Sequence, residues 1–233
     1  MDMNFSNITT IGFDADDTLW VNETYFREAE DAFAALLEDY ETRNTIDQEL
    51  FKMEMRNLRL YGYGIKGFVL SMMESALELS NYRVPQKTLA KILELGKNMI
   101  AHPLELLDDV PEVLEKLHGR YRLLVLTKGD LLDQERKLER SGLMDYFHHV
   151  EVLSDKKEIN YSRLLEHLEI DISEFLMVGN SLKSDVLPIL ALGGRAVHVP
   201  FHTTWAHEEV DPTDHTNDHL TLNRLNELLK YLN

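Results

Sequence analysis

Between Ile11 and Trp20 the chain reads IGFDADDTLW, with three aspartates, Asp14, Asp16 and Asp17, in four consecutive positions. They follow a short β-branched run and so stand at the end of a buried strand, where crowded carboxylates cost most. Either the cluster is a hydrophilic turn, a role Asp fills readily, or a cation offsets its repulsion. Three other apolar runs end in the same polar fashion. LLVL is followed by Thr127, Lys128 and Gly129. HVEVL is followed by Ser154, Asp155, Lys156 and Lys157. FLMV is followed by Gly179, Asn180 and Ser181, with Asp185 further on. Carboxylates, an amide, a hydroxyl and an ammonium brought to one edge describe a site for Mg2+ and phosphate. Mg2+ prefers hard oxygen ligands, few from protein and the rest from water and substrate.

For these groups to meet, the strands must run parallel in one sheet, whose ligands bind beyond the carboxyl ends of the strands. The pattern predicts strands at 8–13, 123–126, 149–153, 175–178 and 196–199. It predicts helices at 110–117, 131–140, 161–168, 182–192 and 220–232. Between residues 22 and 102 the texture differs. Ala29, Phe33, Leu36 and Leu37 recur at helical spacing, as do Leu50 and Met53, then Val69, Met73 and Leu77, then Leu89, Ile92 and Met99. That block predicts about four amphipathic helices with no strand among them. The expected fold is α/β, a doubly wound Rossmann-like parallel sheet core over 1–20 and 104–233. An all-helical cap domain over 21–103 is inserted after the first strand.

Composition narrows the function. The chain has 233 residues, no cysteine and a net charge of −17 from 41 acidic and 24 basic side chains. Disulfides, thiolate catalysis and cysteine-held zinc are excluded, and a reducing compartment is expected. The acidic surface repels phosphate backbones and anionic lipids, so neither nucleic acid nor a membrane is expected as partner. No apolar run approaches the roughly 20 residues of a bilayer span. The N-terminal residues carry no long apolar segment, and a cytoplasmic protein is expected.

Taken in order, the four polar strand exits resemble the motifs of the haloacid dehalogenase-like hydrolase superfamily. Asp14-Ala15-Asp16-Asp17-Thr18 matches its DxD motif, Thr127 its strand-end hydroxyl, and Lys156 its lysine, with Lys157 as substitute. GNSLKSD, Gly179 to Asp185, matches its acidic motif, with Asn180 where the family usually has Asp. The helical block matches in place the kind of cap that follows the first motif. The resemblance implies a Mg2+-dependent phosphomonoester hydrolase acting on a small phosphorylated metabolite through an aspartyl-phosphate. Asp14 is then the nucleophile and Asp16 the acid/base. Thr127, Lys128 and Lys156 hold phosphate, and Asp14, Asp16, Asn180 and Asp185 hold the metal. Asp16 argues against the dehalogenases, which lack an aspartate two positions after the nucleophile, and against the ion-pumping ATPases, which have Thr there. A phosphomutase of the same superfamily keeps both aspartates. A non-catalytic binding or regulatory protein on the same fold is the alternative of another class.

Two other patterns are set aside. Gly62, Gly64 and Gly67 fall at GxGxxG spacing, but a helical segment precedes them, where a dinucleotide fingerprint needs a strand; an interhelical turn is expected. His215 and His219 stand four apart in a polar loop beside Asp214 and Asp218, and a solvated surface is expected there.

Overall fold

TIGF, a β-branched pair followed by Gly12 and Phe13, forms strand β1 (Thr10–Phe13), buried along its whole length. In this computed structural model, which describes residues 5–210 and 219–232, β1 lies between β2 (Arg122–Lys128) and β4 (Phe175–Gly179). With β3 (His149–Leu153), β5 (Arg195–His198) and β6 (Leu220–Thr221) they form a six-stranded sheet, every pair parallel, in the order β3-β2-β1-β4-β5-β6. The chain winds outward from β1 to one side and then to the other, so the topological switch lies beside β1. That is where an open α/β sheet offers a crevice for ligands.

Both faces of the sheet are covered, which explains why its strands read as near-continuous apolar runs. Ile11, Phe13, Leu123, Val125, Leu176 and Val178 face one layer with helix α5 (Val110–Leu117), through Val113 and Leu114. Leu124, Leu126, Phe175 and Met177 face the other. There they meet Tyr161 and Leu165 of helix α7 (Glu158–His167) and Ile189 of helix α8 (Leu187–Ala191).

The chain divides into two compact units. The sheet unit comprises Met1–Glu23, Leu104–Lys128 and Arg136–Asn233; the second comprises Thr24–Pro103 and Gly129–Glu135. The second unit is helical, as the block of apolar periodicity predicts. Its helices are α1 (Glu23–Leu37), α2 (Arg43–Tyr61), α3 (Ile65–Leu79) and α4 (Gln86–Ala101). Phe33, Leu37, Ile46, Leu50, Met72 and Ile92 form its core. Gly96 lets α4 approach α3, since a Cβ there would lie 2.3 Å from Val69 Cγ2. Residues 129–135, the start of helix α6 (Leu131–Ser141), group with this unit although they follow β2 directly.

Two segments depart from the sequence reading. The stretch 220–232 is not one helix. Leu222 N donates to His198 O, which draws 220–221 into the sheet as β6, and a 3-10 helix follows at Leu225–Lys230. Leu222, Leu225 and Leu228 are buried at intervals of three, the 3-10 period, which the helical expectation took for a 3.6 period. The stretch 182–192 opens as a π turn, Leu182–Val186, before α8. Pro188 has no N–H to give the Ser184 carbonyl, and the buried Tyr161 hydroxyl donates to that oxygen instead, at 2.9 Å. Wide turns of this kind recur at functional sites.

Candidate active site

Asp14 leaves β1 with its N–H still donating to Val178 O of β4 at 2.9 Å, so the carboxylate is fixed at the end of the central strand. Lys156 follows β3 and is buried; its N–H donates to Asp155 Oδ1 at 2.9 Å. The Lys156 ammonium donates to Asp14 Oδ1 and, at 2.7 Å, to Asp185 Oδ1. Asp185, fully buried on the π turn, accepts on its second oxygen from Ser181 N at 3.0 Å. Glycine is required at 179, because a Cβ there would lie 2.2 Å from Asp185 Oδ2. Lys157, the substitute candidate, does not join this cluster. Its side chain is 68% exposed and pairs with Asp155 Oδ2 at 2.7 Å, because successive residues leaving a strand point to opposite sides.

This cluster holds two carboxylates against one ammonium. Burial pushes the Asp14 carboxyl up to about 7, with Lys156 opposing the rise and Asp185 adding to it. Burial also works against the Lys156 charge, but Asp14 and Asp185 outweigh it and hold the ammonium above its ordinary value.

The other two aspartates of the first motif part company. Asp16 Oδ1 accepts from Trp20 Nε1 at 2.7 Å and from Lys137 Nζ at 2.9 Å. Asp17 has a left-handed backbone, φ 61°, and its carboxylate accepts from the N–H groups of Asn22 and Glu23 at 2.8 and 3.0 Å. It therefore caps the start of α1. Burial drives its carboxyl up to about 7, against the hydrogen bonds from Asn22 and Glu23. One of three clustered acids is thus a turn-and-cap residue, as the bland reading of the motif expects.

Thr127 is buried near the end of β2, two residues beyond Val125, the partner of Phe13, and its hydroxyl donates to Lys128 O at 3.2 Å. Lys128 turns to a different set of groups, Ser184 Oγ at 2.8 Å and Glu208 Oε1 at 2.6 Å. Burial opposes ionisation of Glu208, yet Lys128 and the Ser181 and Ser184 hydroxyls hold its carboxyl down to about 2.

Asn180 decides whether the donor set suits Mg2+. One terminal atom of its amide lies 3.1 Å from Asp14 Oδ2 and 3.3 Å from the Asp16 main-chain oxygen. As an NH2 group it donates to both. As a carbonyl oxygen it stands from each of these two oxygens at nearly the spacing of adjacent ligands on an octahedral Mg2+, about 2.9 Å for bonds of 2.0–2.1 Å. The residues present therefore fit the ion through Asp14, the Asp16 carbonyl and Asn180. Asp185 keeps both oxygens on protein donors, and the Asp16 carboxylate is turned to Trp20 and Lys137. Accordingly, among the described residues no group of three or more His, Asp or Glu side chains is placed to hold a metal.

Sequence reasoning missed Lys137 and Glu208. Lys137 lies within α6 and also donates to Asn22 Oδ1 at 2.8 Å; it belongs to no strand exit. Glu208 lies in the polar segment after β5, where a Glu-Glu pair outside any strand exit carries no pattern. Trp20 is buried, and its indole N–H on Asp16 was not legible from sequence. The glycine-rich segment runs from the end of α2 into α3 and forms the expected turn; Lys66 pairs there with Asp130 at 2.8 Å. His215 lies outside the described residues, and the ring of His219 stands 6.1 Å from that of His198.

A family model for haloacid dehalogenase-like hydrolases matches residues 8–193. The chain belongs to that family, and its parallel core with an inserted helical block is the family's hydrolase fold. A haloacid dehalogenase-like hydrolase from Xanthomonas campestris superposes with a TM-score of 0.80 at 40% identity, over 88% of this chain and 87% of that one. The N-acylneuraminate-9-phosphatase of Mus musculus is 25% identical over 205 residues, 83% of each chain. The pyrimidine 5'-nucleotidase YjjG of Escherichia coli is 26% identical over 215 residues, 87% of this chain and 91% of that one. Among the described residues no helix is long and apolar enough to cross a membrane.

Proposed function

We propose that the chain hydrolyses phosphomonoesters of small metabolites, with Mg2+, through an aspartyl-phosphate on Asp14. The observation that carries this reading is the Lys156 ammonium on Asp14, with Asp16 two residues on and held in place by Trp20 and Lys137. An Asp14 oxygen attacks phosphorus, and the bond from phosphorus to the ester oxygen breaks. Asp16 gives its proton to that departing oxygen. It then takes a proton from the water whose oxygen attacks phosphorus, and the bond to Asp14 breaks to release phosphate. Thr127 donates to the transferring group, and Lys156 offsets charge between it and the carboxylate. Asp14, the Asp16 carbonyl and Asn180 would hold Mg2+, which supplies positive charge to the phosphoryl oxygens when bound. Asp185 orients Lys156. The helical unit is the cap that selects substrate. Two similar proteins being phosphatases or nucleotidases supports the reaction class, and the cysteine-free acidic chain suits the cytoplasm.

The test is turnover of a panel of phosphorylated metabolites and of p-nitrophenyl phosphate, with Mg2+ and with EDTA. Asp14→Asn should abolish turnover and leave the fold intact; near-normal turnover overturns the mechanism. Asp16→Asn should lose on the order of 10²–10⁴ in rate on alkyl esters. With p-nitrophenyl phosphate, whose leaving group needs no proton, Asp16→Asn should accumulate a chain heavier by one phosphoryl group. An equal loss on both ester types with no mass gain refutes the acid/base role.

A further inference from the structure

Glu208 lies on a three-residue 3-10 turn, Ala206–Glu208, in the polar segment after β5. Its two carboxylate oxygens are held by three donors that all come from strand exits. Oε1 accepts from Lys128 Nζ at 2.6 Å, and Oε2 accepts from Ser181 Oγ and Ser184 Oγ at 2.5 Å each. Lys128 also reaches Ser184 Oγ at 2.8 Å, which ties the donors to one another. The Lys128 and Glu208 side chains are 14% and 12% exposed. An ammonium and two hydroxyls converging on two anionic oxygens, mostly away from water, form an oxyanion cradle. It shares no side chain with the Asp14–Lys156–Asp185 cluster.

The donors and the anion differ in how firmly they are held. Lys128 ends β2, and the carbonyl of Ser184 is fixed by buried Tyr161. None of residues 201–210, by contrast, is buried, and Lys183 Nζ donates to His207 O at 2.5 Å across the turn. A segment without a buried apolar side chain opens at low cost while the core beneath it stays folded.

We propose that Lys128, Ser181 and Ser184 form a second oxyanion subsite, and that Glu208 occupies it until an anionic group of the substrate exchanges with it. The preferred substrates are then phosphomonoesters that carry a second negative group, a carboxylate or another phosphate. The assignment to substrate rests on the phosphatase reading above; the subsite itself does not. In the resting chain the Glu208 carboxylate pairs with Lys128 at 2.6 Å, so an incoming anion, not a neutral hydroxyl, restores that ion pair on its departure.

The subsite is tested by binding, on the full chain. Inorganic phosphate and malonate are titrated calorimetrically into the wild type, Glu208→Gln, Glu208→Ala and the double variant Glu208→Ala/Lys128→Met. Glu208→Ala should bind one phosphate more than the wild type, at least about tenfold tighter than any second phosphate the wild type takes, the gain worth one charge-assisted contact. Adding Lys128→Met should remove that gain. Malonate binding at the new site identifies a carboxylate as the exchanging group; phosphate alone identifies a phosphate. Glu208→Gln, which keeps the side-chain shape, should show the same gain in smaller measure and serves if the alanine variant does not fold. No added site in either variant, or one that survives Lys128→Met, overturns the proposal. A kinetic arm compares paired esters that differ by one carboxylate. The wild type should favour the carboxylated ester in kcat/KM and Lys128→Met should lose the preference; an unchanged preference refutes the assignment to substrate. An added phosphate site in a chain that hydrolyses no ester would refute the phosphatase reading and leave the subsite standing.

Discussion

Lys156 and Lys128 leave neighbouring strands of one sheet, and each donates to carboxylate, yet the two surroundings push Asp14 and Glu208 in opposite directions. Around Lys156 the cluster is dry, and one ammonium serves two carboxylates, Asp14 and Asp185. Burial there prevails, and the Asp14 carboxyl rises to about 7. At Glu208 one ammonium and two hydroxyls all donate to a single carboxylate, and its carboxyl falls to about 2. Burial penalises charge in both places; at Glu208 the Lys128 ammonium and two hydroxyls outweigh it, whereas at Asp14 the neighbouring Asp185 adds to it. A cluster left short of positive charge is poised to accept a cation. A balanced one is poised to hold its partner or exchange it for another anion.

The largest effect should come from removing the shared ammonium. Lys156→Met leaves Asp14 and Asp185 buried together without their counter-charge and should cost about 3–5 kcal/mol in denaturant unfolding at pH 7. Lys157→Ala, at an exposed position, should stay within about 0.5 kcal/mol of the wild type. The loss in Lys156→Met should shrink as pH falls below about 7, because protonation of Asp14 removes buried charge. A loss that is flat with pH would mean that packing, not charge, holds this region together.

How far this contrast was legible from sequence depends on what carries each part. The sheet was legible because a strand buried on both faces needs an uninterrupted apolar run, and LLVL and FLMV are such runs. The dry cluster was legible because its members sit at strand exits, fixed offsets from those runs, so Asp14, Lys156 and Asp185 could be named in advance. Their division of labour was not. Asp17 caps α1 and Asp185 holds Lys156, and only the backbone path shows which oxygen faces which donor. The half-buried cluster was legible only on one side. Lys128 follows a strand, but Glu208 is placed by a turn with no apolar periodicity, and Lys137 reaches Asp16 from within α6. The six-residue 3-10 helix after β6 was misread because leucines spaced three and four apart suit either period over so short a span.

The middle effect concerns the cation. Asn180→Asp adds a charge beside Asp14 Oδ2 and the Asp16 carbonyl. It should lower the Mg2+ concentration for half-maximal rate by on the order of tenfold, since ligand charge tunes affinity for hard cations. Asp185→Asn should act first on stability, by about 1–3 kcal/mol, because it loses a charge-assisted bond to Lys156, and should move the Mg2+ midpoint less than Asn180→Asp does. Magnesium titrations of rate, with unfolding curves for the same proteins, check both. If Asp185→Asn shifts the midpoint more than Asn180→Asp, Asp185 is the ligand and the shared-ammonium account of the dry cluster fails.

The smallest effect sharpens the other side of the comparison. A carboxyl held below its unfolded value contributes stability that is present above the unfolded value and is lost as pH falls through the folded one. For Glu208 those limits are 4.5 and about 2. Glu208→Gln keeps the shape and removes the negative charge that faces Lys128, and should cost about 1–2 kcal/mol at pH 7, the range of a hydrogen bond to a charged group. Between pH 7 and 5 the difference from the wild type should be constant, because Glu208 is ionised in folded and unfolded chains alike. Below about pH 4.5 the unfolded chain takes up the proton first, and the difference should narrow steadily toward pH 2. Urea unfolding of both proteins at half-unit steps from pH 7 to 3.5 measures it. A difference that already narrows between pH 7 and 5 would place the folded carboxyl near or above its ordinary value, and Lys128 would then not be the balanced partner that separates this cluster from the dry one.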